Sequence, residues 1–312
     1  MNQYLPEGRM IDSEENRLAM SSPVQLREAC ARGQILEARA VICDNQHDLW
    51  VDLGCMQGII PRIEGAMGIE DGSVRDIALI SRVNKPVTFI ITGFDKDAYG
   101  NPIAVLSRRM VQEKCQEEFI SSLVPGDIID AKITHLESFG AFADIGAGIT
   151  SLLPIDTISV SRIPHPKERF QNGDNIKAVI RGIDENGRVS LTHKELLGTW
   201  LENAAEFEAG ETVSGIVRSV ESYGIFVELA PNLAGLAEPK EDVYPGQLAS
   251  VYIKNLIPER MKIKLVIIDS FDGNTRAAQM KYFINQEHIN DWEYSPPGCP
   301  KQIQSVFDSE AQ

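Results

Sequence analysis

The sequence predicts an all-β chain: three tandem five-stranded barrels of the OB type, joined by short helical connectors. Three observations carry that expectation. One pattern of short strands recurs three times along the 312 residues, and a fixed-period repeat decides the architecture before any single element does. Each copy has room for about five strands in 60 to 77 residues, the size of a small closed barrel. Within the copies the apolar residues alternate with polar ones, the period of a half-buried strand.

Residues 1–32 form an N-terminal tail and a short helix. Ser22-Pro23-Val24-Gln25 resembles a capping box with proline in the first turn, and Gly33 is placed to end the helix. Residues 33–109 are the first and faintest copy. GQILEARAVIC, LWVDL and GIIPR fit the next copy at a shift of 92 to 93. Residues 110–125 are a helical connector, with Val111, Cys115, Phe119 and Leu123 recurring every four residues until Pro125-Gly126 stops the run.

Residues 126–196 and 210–269 are the second and third copies. A shift of 84 lays GDIIDAKITHLESFGAFADI on GETVSGIVRSVESYGIFVEL, pairing Gly140 with Gly224 and Phe142 with Phe226. In the third copy Ile225, Val227 and Leu229 alternate with Phe226 and Glu228. In the second, Ala141, Ala143 and Ile145 alternate with Phe142 and Asp144; in the first, Leu49, Val51 and Leu53 alternate with Trp50 and Asp52. An aromatic beside an acid therefore recurs on the polar face. ENG at 185–187 marks a tight hairpin, since Asn-Gly tolerates positive φ. Residues 197–209 are the second helical connector, and the stripe Leu196, Trp200, Ala204, Phe207 reads as a helix packed on a barrel. Residues 270–312 read as a short ordered extension followed by a loose tail containing SPPGCP, with no function assigned.

The composition narrows the function. The net charge is −15, which argues against a duplex-DNA binder that works by neutralising phosphates. The three copies each come to −2 and the ends and connectors hold the remaining −9, so near-neutral modules are left to bind single strands by stacking and local cations. No run of 18 apolar residues and no apolar leader occur, so neither a membrane span nor a signal peptide is expected. The five scattered cysteines, without a CxxC, read as reduced cytoplasmic thiols.

SFGAF (138–142) and SYGIF (222–226) each set two rings three residues apart around a glycine. In a regular strand those positions point to opposite faces. A bulge or a turn entry at the glycine would bring Phe139 and Phe142, and Tyr223 and Phe226, onto one surface, where they form a stacking platform for bases. The competing reading has one ring of each pair plugging the barrel end. Cations are expected at the border. Arg188 and Asp184 flank the Asn-Gly turn, where the carboxylate is placed to orient the guanidinium or simply to form a surface ion pair. Lys132, Lys177 and Lys194 stand in the second copy; Arg218, Lys254, Lys262 and Lys264 in the third. In IPHPKERF, His165 reads as a loop residue, and Lys167 and Arg169 are further candidates for phosphate.

With SFGAF, SLLPI and GIDENGRVSLTHKE in place, the chain resembles the RNA-binding motif named after bacterial ribosomal protein S-one. The resemblance covers residues 33–269, and LSRRMVQEKC before the second copy is similar to the S-one-like proteins of Gram-positive bacteria. It implies an OB barrel per copy, single-stranded RNA as ligand, the small ribosomal subunit as a partner, and RNA contacts at Phe139, Phe142, Asp184, Arg188, Tyr223 and Phe226. The family's histidine position holds Pro61, Pro154 and Glu238 here. The first copy has His47 where the first ring belongs and no matching hairpin arginine, and the third has Pro258 and Lys262 near the Asp and Arg places.

No P-loop, HExxH, GxSxG or complete GxGxxG is present, and the five histidines lack metal-ligand spacing. No enzyme activity, cofactor, metal or small-molecule substrate is therefore expected. Two functions remain: a single-strand RNA-binding protein of translation, or a protein-docking scaffold or RNA-metabolism regulator whose barrels bind chiefly other proteins. The retained rings of copies two and three favour the first, and the degenerate first copy favours docking for that part.

Overall fold

A computed structural model gives the structure of the protein and describes residues 4–273 and 280–307. The three barrels are closed and five-stranded. The chain divides into two compact units, Met1–Leu123 with Asp144–Thr150, and Val124–Ala143 with Ser151–Gln312.

The first unit opens on two helices, α1 (Glu14–Ala19) and α2 (Pro23–Arg32). Ser22 Oγ accepts from Gln25 N–H at 3.3 Å, Pro23 fills the first turn, and Gly33 ends α2 at φ 61°. That is the punctuation the sequence implies, because only glycine adopts the left-handed cap without steric cost. The barrel follows: β1 (Leu36–Cys43), β2 (Leu49–Asp52), β3 (Gln57–Ile60), β4 (Pro86–Lys96) and β5 (Pro102–Ser107), in the order β1-β2-β3-β5-β4. Short helix α3 (Ile77–Ile80) lies between β3 and β4. Leu36, Leu49, Val51, Ile60, Phe89 and Leu106 fill the barrel, and α2 adds Leu26 and Ala29 to the same core. After the barrel, α4 (Arg109–Glu118) buries Val111 and Cys115. The stripe does not run to its expected end: the chain tightens to a 3₁₀ turn at Ile120–Ser122, and Ile120 is buried where Phe119 is only half-buried.

The middle barrel is built from β6 (Ile128–Glu137), β7 (Gly140–Gly146), β8 (Ile149–Pro154), β9 (Asn175–Ile183) and β10 (Val189–Thr192), in the order β10-β8-β7-β6-β9. The third is built from β11 (Thr212–Glu221), β12 (Gly224–Ala230), β13 (Leu233–Ala237), β14 (Leu248–Ile257) and β15 (Lys262–Phe271), in the order β11-β12-β13-β15-β14. The predicted alternation holds around the ring, with Ile225 and Val227 fully buried and Phe226 partly exposed, and lapses at the next pair, where the register shifts, Glu228 is buried and Leu229 is partly exposed. Between these barrels α5 (Trp200–Ala204) begins in a full Thr199–Glu202 capping box and puts Trp200 into the third barrel's core.

The C-terminal extension corrects the expectation of a loose tail. β16 (Asp291–Glu293) pairs with β17 (Gln304–Val306), and SPPGCP is the ordered turn between them, with Cys299 buried and Ser295 Oγ bonded to the backbone of Lys301 and Ile303. Trp292 and Tyr294 enter the third barrel's core, and Ile289 and Phe307 pack with Ile128, Val179 and Leu196 of the middle barrel. The last five residues of the expected tail lie outside the described residues.

Candidate nucleic-acid interface

The recurring rings meet in both copies. Phe139 and Phe142 have centroids 6.1 Å apart with planes at 89°, and Tyr223 and Phe226 are 6.2 Å apart at 87°. The first ring of each pair is open to solvent, Phe139 at 54% and Tyr223 at 66%, and the second is partly buried. Of the two expected routes, a bulge or a turn entry, the chain takes the turn. Glu221 pairs directly with Gly224, so Ser222-Tyr223 is a two-residue hairpin turn, and Ser138-Phe139 is its counterpart. The first ring stands on the turn and never enters the strand, so the alternation is not broken. The glycine serves another need. A Cβ on Gly140 would sit 2.5 Å from the Leu153 carbonyl oxygen, and one on Gly224 would sit 2.7 Å from that of Ala237. The neighbouring strand passes too close for any side chain.

In the first barrel the corresponding positions are occupied differently. His47 sits in its turn at φ 65°, with Nδ1 3.8 Å from an Asp76 carboxylate oxygen. The Trp50 indole N–H donates to Asp44 at 3.1 Å. Trp50 is nonetheless in the same register as Phe226: Trp50 pairs with Ile59, which lies beside Val105, and Phe226 pairs with Leu236, which lies beside Lys264.

The expected cations divide into two groups. Arg188, Lys262 and Lys264 are exposed, with no ion pair among the described residues. Lys177 is half-exposed at 3.6 Å from Asp130, and Lys254 lies 3.3 Å from the exposed Glu238. Lys132 and Lys194 are partly buried. Asp184 does not aim the Arg188 guanidinium. Its Oδ1 accepts from the backbone N–H groups of Asn186 and Arg188 at 2.9 and 2.8 Å, so it shapes the turn instead. In that turn only Gly187 has positive φ, at 72°.

Arg218 is a correction. Its side chain is 8% exposed, forks onto Glu228 at 2.8 and 3.0 Å and reaches Glu168 at 3.1 Å. Burial alone would lower its pKa, but the two carboxylates outweigh burial and raise it. The guanidinium is a structural charge, held by two carboxylates and closed off from solvent. Arg169 is corrected likewise, being 3% exposed and bonded to Glu228 at 2.6 Å.

Those contacts reveal a role that the sequence pattern hid. The acid two residues past each second ring is buried. Glu228 gathers Arg169 and Arg218. Asp144 accepts from the N–H groups of Glu7, Gly146 and Gly148 at 2.7 to 3.0 Å. The only signal in the sequence was the repeated aromatic–acid pair, which equally describes a solvated face. Asn232, also missed, is fully buried in the turn after β12; its Oδ1 accepts from Val160 N–H, and its Nδ2 donates to the carbonyls of Lys194 and Gly198.

Among the described residues no helix is long and apolar enough to cross a membrane. A family model described as the S1 RNA binding domain matches residues 123–194. The chain is 28% identical over 314 aligned positions to small ribosomal subunit protein bS1 of Staphylococcus aureus (strain COL), covering 92% of this chain and 74% of that one. It is 30% identical over 239 positions to the bS1 homolog of Bacillus subtilis (strain 168), covering 74% and 58%. Among solved structures, a multidomain protein with nucleic acid binding domains from Streptococcus pneumoniae aligns at 12% identity over 76% of this chain and 74% of that one, with a TM-score of 0.25.

Proposed function

We propose that this chain, whose middle barrel is an S1 RNA-binding domain and which resembles small ribosomal subunit protein bS1 over most of its length, binds single-stranded RNA in translation. The observation that carries the reading is the exposed edge-to-face ring pair built twice by the same hairpin turn. A core does not need two aromatics on its solvent side, whereas every base offers a face to stack on them. Phe139, Phe142, Tyr223 and Phe226 take the bases. Arg188, Lys132 and Lys177 on the middle barrel, and Lys254 and Lys262 on the third, take phosphates or base edges. Asp184 acts by holding the turn that presents Arg188. The partners are unstructured messenger RNA and the small ribosomal subunit, in the cytoplasm, and no catalytic step is assigned.

The test is fluorescence anisotropy with a short unstructured RNA. Phe142→Ala and Phe226→Ala should each weaken binding by about 1–3 kcal/mol, the worth of one stacked base, with circular dichroism unchanged. Folded variants that bind like the parent chain would dispose of the platform.

For the first barrel a second reading is favoured. It has no ring pair at the turn that holds His47; its exposed rings, Phe94 and Tyr99, lie on β4 and in the β4–β5 turn, and elsewhere it exposes aliphatic side chains, Ile77 on α3 at 65% with Ile63 and Ile80. That surface suits protein docking better than base stacking. Co-sedimentation with small subunits should therefore weaken on Ile77→Glu while RNA affinity holds.

A further inference from the structure

The third barrel's platform loses one of the four cations the sequence offered it, because Arg218 is buried. The chain supplies another from a neighbouring loop. On β12 the outward residues are Phe226 and then Glu228, about 7 Å apart at two residues of strand rise. Glu228 is held by Arg169, and its partner Arg218 by Glu168. Glu168 and Arg169 belong to the middle barrel's loop between β8 and β9. The same loop is fixed at its other side, where Val160 N–H donates to Asn232 and Ser161 N–H donates to the Pro231 carbonyl. The segment 162–167 is thus tethered at both ends to the third barrel.

Within that segment Arg162 and Lys167 are exposed and have no ion pair among the described residues. The four charges Glu168, Arg169, Arg218 and Glu228 balance one another, so within the tethered segment 162–167 the positive charge belongs to those two side chains. Arg162 follows the contact at Pro231, roughly 16 Å along the chain from Phe226 at strand rise. Lys167 adjoins the Glu168 and Arg169 contacts, which reach β12 at Glu228, two residues past the ring. Its backbone is set by a 3₁₀ turn, where Lys167 N–H donates to His165 Nδ1 at 3.1 Å.

We propose that Lys167 of the middle barrel is part of the third barrel's RNA site, binding the phosphate of the nucleotide whose base stacks on Phe226. The inference rests on the stacking reading above. It makes the third site a composite of two barrels, so the third barrel alone is an incomplete binder. The long, flexible ammonium arm suits a phosphate as a point charge without demanding fixed geometry.

The experiment is a double-mutant cycle by anisotropy on the full chain, with labelled oligouridine of about 12 nucleotides, within the span one or two OB folds cover. Lys167→Ala should weaken binding about threefold to tenfold and flatten the slope of log K against log salt by about 0.7, one phosphate's share on single strands. Lys167→Arg should restore both. The loss should shrink below about twofold in the Phe226→Ala background and persist in Phe142→Ala, because coupled residues depart from additivity and distant ones do not. If Phe226→Ala weakens binding but Lys167→Ala does nothing, or costs the same in both backgrounds, the composite site is wrong and the stacking reading stands. If Phe226→Ala itself has no effect, the stacking reading on this barrel fails and takes the composite site with it.

Discussion

Asp144 and Glu228 occupy the same place two residues past a platform ring, and each is buried by what it holds. Glu228 meets two guanidiniums. Asp144 meets backbone amides and the nearby Glu7. Burial, and then the Glu7 charge, push the Asp144 carboxyl up to about 7 against the pull of the amides and Arg108. Burial would raise Glu7 as well, but Arg108 and Arg82 outweigh it and hold that carboxyl below its usual range. The signs are opposite. Glu7 stabilises the fold above its unfolded pKa and loses that contribution only as pH falls through its folded value. Asp144, being raised, favours the fold most below its unfolded pKa of about 3.9 and loses that contribution as pH rises toward 7. Of the two, Asp144 sets the slope between about pH 4 and pH 7. Asp144→Asn removes the ionisation while keeping an acceptor for the amides. Urea midpoints of the parent chain should therefore fall relative to those of Asp144→Asn as pH rises across that window. Parallel pH profiles would show that Asp144 ionises normally in the fold.

The hairpin that carries the rings is the element on which function turns, and its glycine sets a limit on it. Gly140→Ala would drive a Cβ to 2.5 Å from the Leu153 carbonyl oxygen, and Gly224→Ala to 2.7 Å from that of Ala237. A backbone atom cannot swing away as a side chain can, so the strands must part. The expected cost is about 1–3 kcal/mol of stability, as for other overpacked sites, with weaker RNA binding through the displaced ring pair. Chemical denaturation and anisotropy on the same two variants check it, and unchanged stability would show that the strands yield freely. The strands themselves were legible because alternation is local: Ile225 and Val227 had to face one way and Phe226 the other. The glycine's reason was not legible, because it lies in the backbone of another strand. Arg218 misled for the same cause. It read as a solvated cation, and its partner Glu168 stands 50 residues away in the chain. The Asn-Gly turn was half legible, with glycine taking the left-handed conformation and Asp184 closing the loop on the backbone.

At the scale of the molecule, the second unit is held together by more than its two barrels. The sequence showed an ordered extension but not its strands or the ordered SPPGCP turn, because strands of three residues are too short to show a period, and Trp292 and Tyr294 gain meaning only once the barrel they enter is known. In the structure Tyr282 accepts from Lys177 N–H at 3.2 Å, Ile128 N–H donates to the Glu287 carbonyl, and the Tyr294 hydroxyl donates to the Asn232 carbonyl. One segment therefore ties β6 and β9 of the middle barrel to the β12–β13 turn of the third. A fragment of residues 124–312 keeps all the strands of both barrels, both ring pairs, Lys167 and the extension. It should unfold cooperatively and retain RNA affinity within about tenfold of the full chain. A fragment ending at residue 273 keeps the rings but loses Trp292 and Tyr294 from the core. Truncating one buried tryptophan in place costs about 3–5 kcal/mol, so the shorter fragment should show a much lower urea midpoint or no cooperative transition. Matching midpoints for the two fragments would mean that the extension only decorates the barrels. A stable longer fragment without RNA affinity would instead place the binding surface in the first unit and overturn the assignment of the rings.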